Sequence, residues 1–323
     1  MNRRMGLLRD GKWSSDWYTP GAGGTFDRPE TKFRDRVTAD GSSGFPAEAG
    51  RYHLYVAWAC PWAHRTVLMR HFQGLEHAIT MSVADAVMGD DGWTFGSDPD
   101  GTADDVNGAR CLHEVYVLAD PHYTGRVTVP VLWDRQRRTI VSNESREILR
   151  MLGHEFTAIA RTPVDLCPAP QRILVDGTID AIYDPINNGV YRAGFASKQA
   201  AYDDAVHALF AALDHWDRVL ADQRYLCGEA LTEADICMFT TLVRFDSVYH
   251  GHFKCNLRRI VDYANLSSYL RDLYQRPGVA DLCKFAAIKE HYYRSHKQIN
   301  PTGIVPAGPV LDLSAPHDRD RLG

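Results

Sequence analysis

The segment from Arg51 to Phe72 restricts the fold more than any other part of the chain. β-Formers cluster at Arg51-Tyr52-His53-Leu54-Tyr55-Val56-Ala57-Trp58, with the polar Arg51 and His53 two residues apart, which predicts a strand with one half-polar face. Ala59-Cys60-Pro61-Trp62 then turns the chain, and Trp62, Val67, Leu68 and Phe72 share one side of a helix running from Pro61 to Phe72. Proline suits a first helical position because the N–H it lacks has no partner there. The order strand, Cys-Pro corner, helix puts Cys60 at a helix mouth, where unpaired N–H groups and the positive dipole end favour thiolate over thiol. The ordinary fate of a cysteine outside a disulfide is burial as a small apolar residue. Position alone raises Cys60 above the other six. Ala63 stands where a dithiol site would carry its second cysteine, so a mixed disulfide at Cys60 needs an outside thiol to resolve it.

Around this corner the chain divides by texture. Residues 1 to 45 hold runs such as Thr19-Pro20-Gly21-Ala22-Gly23-Gly24 and Asp40-Gly41-Ser42-Ser43-Gly44 with no sustained period, and read as an irregular N-terminal arm. Residues 46 to 156 read as an α/β domain. Within it, residues 84 to 125 form a Gly/Asp-rich stretch carrying Trp93 and Phe95, too long for an ordinary connection and so either an insertion with a task or a disordered loop. Arg126 to Asp134 predicts a strand with Pro130 inside it, followed by a polar turn and a short strand at Thr139-Ile140-Val141. Ser142-Asn143-Glu144-Ser145 then leads into a helix bearing Ile148, Leu149, Met151 and Leu152. Residues 157 to 167 read as a linker and 168 to 290 as an all-helical domain. Tyr202, Val206, Leu209, Phe210, Leu213, Trp216 and Leu220 follow helical spacing, and Thr232-Glu233-Ala234-Asp235 reads as a capping box opening another helix. The four prolines of residues 291 to 323 predict an extended tail.

A length of 323 residues agrees with two domains. Lys and Arg total 36 against 41 Asp and Glu, a net charge of −5, so no basic field gathers nucleic acid or an anionic membrane, and neither is expected as a partner. No apolar run approaches the ~18 residues of a membrane span, and Arg3, Arg4 and Arg9 precede no apolar leader segment. Seven cysteines without CxxC spacing suit reduced thiols in the cytoplasm better than a disulfide framework. With no HxxxH, CxxH or EF-hand spacing, no metal is expected.

Two further features gain weight beside Cys60. Val129-Pro130 in a strand would, as a cis bond, expose the Val129 N–H and C=O to a peptide-like ligand, although a trans edge-strand proline is the commoner case. Glu144-Ser145 at a helix start offers a hydroxyl and N–H groups to a carboxylate, although a plain N-cap is again commoner. Cys-Pro corner, Val-Pro, Glu-Ser and then a helical half with a Thr-x-x-Asp box together resemble the glutathione transferase superfamily over about residues 50 to 290. Cys60-Pro61-Trp62-Ala63-His64-Arg65 points to its cysteine-type members. Asn187-Asn188-Gly189-Val190-Tyr191, His291-Tyr292-Tyr293-Arg294-Ser295-His296 and the run from Ile299 to Pro309, together with the insertion and the long tail, resemble the glutathionyl-hydroquinone reductases, the xi class.

The resemblance implies a thioredoxin-like α/β domain followed by an all-α domain, with glutathione as co-substrate, no metal and a homodimer. It makes Cys60 the nucleophile and places glutathione among Trp93, the strand from Arg126 to Val129, and the pair Glu144 and Ser145. Val129 backbone would pair with the cysteinyl unit, Glu144 and Ser145 would receive the γ-glutamyl end, and Arg126 would neutralise the glycyl carboxylate. Tyr191, Tyr249 and Tyr292 match positions around the aromatic substrate, with Tyr191 the proton donor and acceptor, Tyr249 and Tyr292 near the thiolate, and Tyr293 a rival to Tyr292. Core packing with a satisfied hydroxyl is otherwise the default for a tyrosine. The implied activity is reduction of glutathionyl-hydroquinones to hydroquinones. The alternatives are a general thioltransferase or dehydroascorbate reductase, which would use Cys60 without the tyrosines, and a non-enzymatic binding module.

Overall fold

The structure, a computed structural model, describes residues 6–16, 21, 23–27 and 30–322. Arg3 and Arg4, and Thr19, Pro20 and Ala22 of the glycine-rich run, lie outside the described residues. The chain divides into two compact units: Met1–Tyr18, Pro29–Val164 and Ala286–Val305 form one, and Thr19–Arg28, Asp165–Phe285 and Pro306–Gly323 the other.

In the first unit, strands β1 (Leu7–Arg9) and β2 (Lys12–Ser14) form a hairpin. This departs from the irregular arm expected there. Leu8, fully buried, gives the short hairpin an apolar anchor that a search for longer periodicity passes over. β3 (Tyr52–Val56) leads through the Cys-Pro corner into α1 (Pro61–Phe72) and then to β4 (Thr80–Val83). After α2 (Leu112–Ala119) come β5 (Gly125–Arg126), β6 (Val131–Asp134), β7 (Thr139–Ser142) and α3 (Ser145–His154). One sheet runs β2-β1-β5, and the central one β4-β3-β6-β7, with β3 parallel to β4 and antiparallel to β6. Side chains of α1 and α3 pack together, and Val67, Leu68, Ile148, Leu149 and Leu152 join Leu54, Leu132 and Val141 in the core.

β3 is buried along its whole length, so the expected half-polar face does not exist. Its polar groups are instead paired inside. The Arg51 guanidinium reaches Asp134 at 2.6 Å and 3.0 Å, and the His53 ring bonds Thr80 Oγ1 at 2.7 Å and Ser82 Oγ at 3.0 Å. Burial pushes the His53 pKa down to about 4. The strand expected from Arg126 to Asp134 is also interrupted. β5 and β6 belong to different sheets, and a cis Val129–Pro130 bond lies between them.

The insertion is ordered by two buried carboxylates. Asp85 accepts from the N–H groups of Ser97 and Asp98 at 3.0 Å each and from the Thr94 hydroxyl at 2.7 Å. Asp104 accepts from the Tyr55 hydroxyl at 3.0 Å and from the N–H groups of Val106, Asn107 and Ala109 at 3.0 to 3.2 Å. A loop whose amides bond to fixed carboxylates needs no sheet or helix to hold its shape.

The second unit is built on α4 (Arg172–Ile182), α5 (Gly189–Gly194), α6 (Gln199–Asp222), α7 (Glu233–Arg244), α8 (His250–His252) and α9 (Ala264–Tyr274). The expected capping box opens α7: Asp235, fully buried, takes the Thr232 N–H and hydroxyl at 2.8 and 2.9 Å. It also takes the Leu226 N–H at 2.8 Å and the Tyr269 hydroxyl at 2.9 Å, which ties the cap to α9. At the other end, buried Arg319 donates to the carbonyls of Leu220 at 2.7 Å and Arg224 at 2.9 Å, closing the C-terminal end of α6. The tail is not extended throughout, since α10 (Phe285–Glu290) continues into a π-helical turn over His291–Ser295. Among the described residues, no helix is long and apolar enough to cross a membrane.

Replacing Asp235 by Ala strands two buried hydroxyls and two buried N–H groups and is expected to cost about 3 kcal/mol in urea unfolding; a loss below about 1 kcal/mol would refute this role. The unfolded His53 protonates near its ordinary 6.5 while the native ring stays neutral to about 4, so stability should fall as pH drops through that interval. His53→Gln should shallow this decline, and an unchanged slope would show that another group governs it.

Candidate active site

Cys60 is the N-cap of α1, with extended backbone (φ −78°, ψ 117°), and its sulfur accepts from the Ala63 N–H at 3.5 Å. The thiol also donates to the Val129 carbonyl at 3.4 Å. An amide donor strengthens as the sulfur gains charge, while the carbonyl contact belongs to the thiol form. The corner is held from both sides by backbone bonds, Cys60 N–H to Ala57 O and His64 N–H to Cys60 O, each at 3.0 Å. Of the seven cysteines, none in a disulfide, Cys60 is the one that is partly exposed. Burial pushes the Cys111, Cys227, Cys255 and Cys283 thiols up, Cys283 to about 12.

Val129 sits on a backbone stretch pinned by Tyr116. The Tyr116 hydroxyl donates to Thr128 O at 2.8 Å and accepts from Thr128 N–H at 3.2 Å and Asn143 Nδ2 at 3.0 Å. Half-buried Arg126 lies in β5, paired with Leu7, and its carbonyl accepts from the Tyr123 hydroxyl at 2.9 Å. Glu144 is the N-cap of α3 and accepts from the Arg146 N–H at 3.3 Å. Buried Ser145, the first residue of that helix, meets the Arg65 guanidinium at 3.4 Å. Arg65 is buried too, with its guanidinium 4.3 Å from the centre of the Trp62 ring. Arg65 thus links the start of α3 to the helix that Cys60 caps. The signal for it in the sequence is a charged residue among the apolar positions of the helix.

Trp93 is 7% exposed and lies against His291, with ring centroids 4.8 Å apart and planes 12° from parallel. Tyr292 follows, fully buried, its ring edge-on to His291 and His296. Tyr293 is only half-buried, and its carbonyl accepts from Asn300 Nδ2 at 2.7 Å. The first unit therefore carries Cys60, Trp93, Arg126, Val129, Glu144, Ser145 and Tyr292.

Tyr191 and Tyr249 belong to the second unit, where their rings stand 6.0 Å apart in a cluster with Phe253. Gly194 makes this cluster possible: a Cβ there would fall 2.2 Å from the Phe253 ring. Asn187, the first residue of the Asn-Asn-Gly-Val-Tyr motif, anchors the approach to α5 by donating to Cys237 O at 3.0 Å and Thr241 Oγ1 at 2.9 Å of α7. Among the described residues, the π-helical turns are Tyr183–Asn187, Phe245–Tyr249 and His291–Ser295. The first precedes Tyr191 by four residues, the second ends on Tyr249, and the third contains Tyr292. Such turns lie off the periodicity that sequence patterns detect and are frequent at functional sites.

An alkylating reagent at neutral pH should label Cys60 alone, giving a single adduct on the intact protein. Comparable early labelling at Cys283 or Cys255 would contradict their burial.

Family models match in both units: "Glutathione S-transferase, N-terminal domain" over residues 59–155 and "Glutathione S-transferase, C-terminal domain" over residues 199–272. The chain is 52% identical to the glutathionyl-hydroquinone reductase YqjG of Escherichia coli over 98% of its own length and 99% of the relative's. The glutathione-bound structure of YqjG superposes with a TM-score of 0.91, covering 98% of this chain and 99% of that one at 49% identity. The glutathionyl-hydroquinone reductase PcpF of Sphingobium chlorophenolicum is 49% identical over 96% of this chain and 98% of its own. A xi-class glutathione transferase from Natrialba magadii gives a TM-score of 0.94 at 54% identity, covering 100% of this chain and 98% of that one. With its thioredoxin-like sheet, its all-helical second unit and these relatives, the chain belongs to the xi class of the glutathione transferases, the glutathionyl-hydroquinone reductases.

Proposed function

We propose that the protein reduces glutathionyl-hydroquinones to hydroquinones with glutathione, through a Cys60–glutathione mixed disulfide. The observation that carries this reading is the placement of Cys60: partly exposed, capping α1, with Ala63 where a resolving thiol would stand. The Cys60 thiolate attacks the sulfur of the conjugate, the carbon–sulfur bond breaks toward the ring, and the ring carbon takes a proton as hydroquinone leaves. A second glutathione thiolate then attacks the mixed disulfide, releasing oxidised glutathione and restoring Cys60. The two electrons that reduce the carbon–sulfur bond thus come from the two glutathione sulfurs, which leave joined as the disulfide, and neither step calls for a metal.

The remaining roles follow from chemistry. Glutathione is peptide-like, and the Val129 N–H and C=O supply strand-type pairing to its cysteinyl unit once the thiol contact to that carbonyl is given up. Glu144 pairs with the γ-glutamyl ammonium, Ser145 at a helix start binds its carboxylate, and Arg126 neutralises the glycyl carboxylate. Trp93 packs on the glutathione backbone. An aromatic carbon is a poor leaving group until protonated, so a positioned phenol is needed, and Tyr191 is assigned that proton. Tyr249 and Tyr292 bond near the sulfur. Homodimeric assembly and residence in the cytoplasm complete the reading, the latter supported by seven unbridged cysteines.

Steady-state turnover of glutathionyl-menadiol and of hydroxyethyl disulfide, each with glutathione, tests the reading. The thioether should be reduced far faster, and Cys60→Ala should abolish both activities. Reduction of the disulfide alone would make the protein a general thioltransferase. Tyr191→Phe should slow hydroquinone release by about 10²-fold or more while leaving resolution by glutathione nearly unchanged; equal slowing of both steps would remove its assigned role.

A further inference from the structure

The segment that carries Tyr292 and the segment that carries Trp93 are far apart in sequence but locked together within the first unit. The His291 Nδ1 lies 2.8 Å from the Ala86 carbonyl, so that nitrogen carries the proton and the ring is fixed in one tautomer. One helical turn on, the buried Ser295 hydroxyl accepts from the Met88 N–H at 3.0 Å. The third tie is the parallel packing of the His291 imidazole on the Trp93 indole, at 4.8 Å and 12°. The imidazole thus covers one face of the indole and, with both residues more than nine-tenths buried, fixes the plane in which the indole lies.

We propose that His291 is a positioning residue for glutathione: its ring is the platform that orients Trp93, and its bond to Ala86 O fixes the turn from which Tyr292 projects. The proposal rests on the reading that Trp93 packs against glutathione. A stacked pair of this kind makes the two residues act as a unit, so their effects on binding do not add.

The experiment is a double-mutant cycle on the full-length protein, with glutathione affinity measured by calorimetry and turnover measured beside it. His291→Ala and Trp93→Ala should each weaken glutathione binding about three- to tenfold, and the double variant should be no weaker than Trp93→Ala alone. His291→Phe, which keeps a flat ring and loses the bond to Ala86, should restore affinity while kcat stays reduced. His291→Asn, which keeps an N–H donor and loses the ring, should leave affinity impaired. A structural role alone would move affinity and kcat together in every variant and would show no rescue by Phe. Additive losses in the cycle overturn the proposal. A wild-type protein that binds glutathione but does not reduce the thioether overturns the activity and leaves the cycle on binding decisive for His291.

Discussion

The contact on which the rest of the site depends is the sulfur of Cys60 at the first turn of α1. An N-cap must accept from the helix's open amides, and oxygen side chains usually do this. Here sulfur does so, through the Ala63 N–H. The helix is fixed in turn by packing against α3 and by the two backbone bonds at the corner. One requirement of helix formation, a partner for an orphan amide, therefore doubles as the device that holds the Cys60 sulfur in a defined direction. Pro61 contributes by needing no partner of its own. The opposite wall is set by Tyr116, which holds Thr128 through both its N–H and its carbonyl, so the stretch facing the sulfur is fixed without belonging to a strand.

Around this contact the chain spends buried charge where regular structure is absent. Asp85 and Asp104 organise the insertion, Arg51 and Asp134 close the end of β3, and Asp235 joins two helices of the second unit. Each is surrounded by several donors or by a close opposite charge, the condition under which burial of a carboxylate is tolerated. Their common effect is to give polar segments a single arrangement, the loop that carries Trp93 among them.

The parts of this architecture that were legible in the sequence are those with local physical signals. The corner at Cys60-Pro61, the helix of residues 61–72, the cap at Glu144, the long helix α6 and the Thr232–Asp235 box each follow from residues within a few positions of one another. What escaped is long-range. The burial of His53 depends on partners contributed by β4, the order of the insertion on two aspartates indistinguishable in sequence from solvated ones, and the partner of Trp93 on a histidine 198 positions away. Pro130 marks a break in the 126–134 run, yet the division of that run between two sheets comes from the pairing of Arg126 with Leu7, which no local pattern encodes.

That last separation bears on how the protein is made. Both compact units are discontinuous in the chain: the first takes in residues 286–305 and the second 306–323. A ribosome thus releases Cys60, Val129 and Ser145 long before His291 exists, and α6 long before Arg319 arrives to cover its terminal carbonyls. A nascent chain halted at residue 164 carries Cys60 and the strands of the central sheet, while the Trp93 indole still lacks the ring that stacks on it. Neither unit has all its segments until residues 286–323 have been made, so a fragment cut at residue 164 lacks the ring that packs on Trp93.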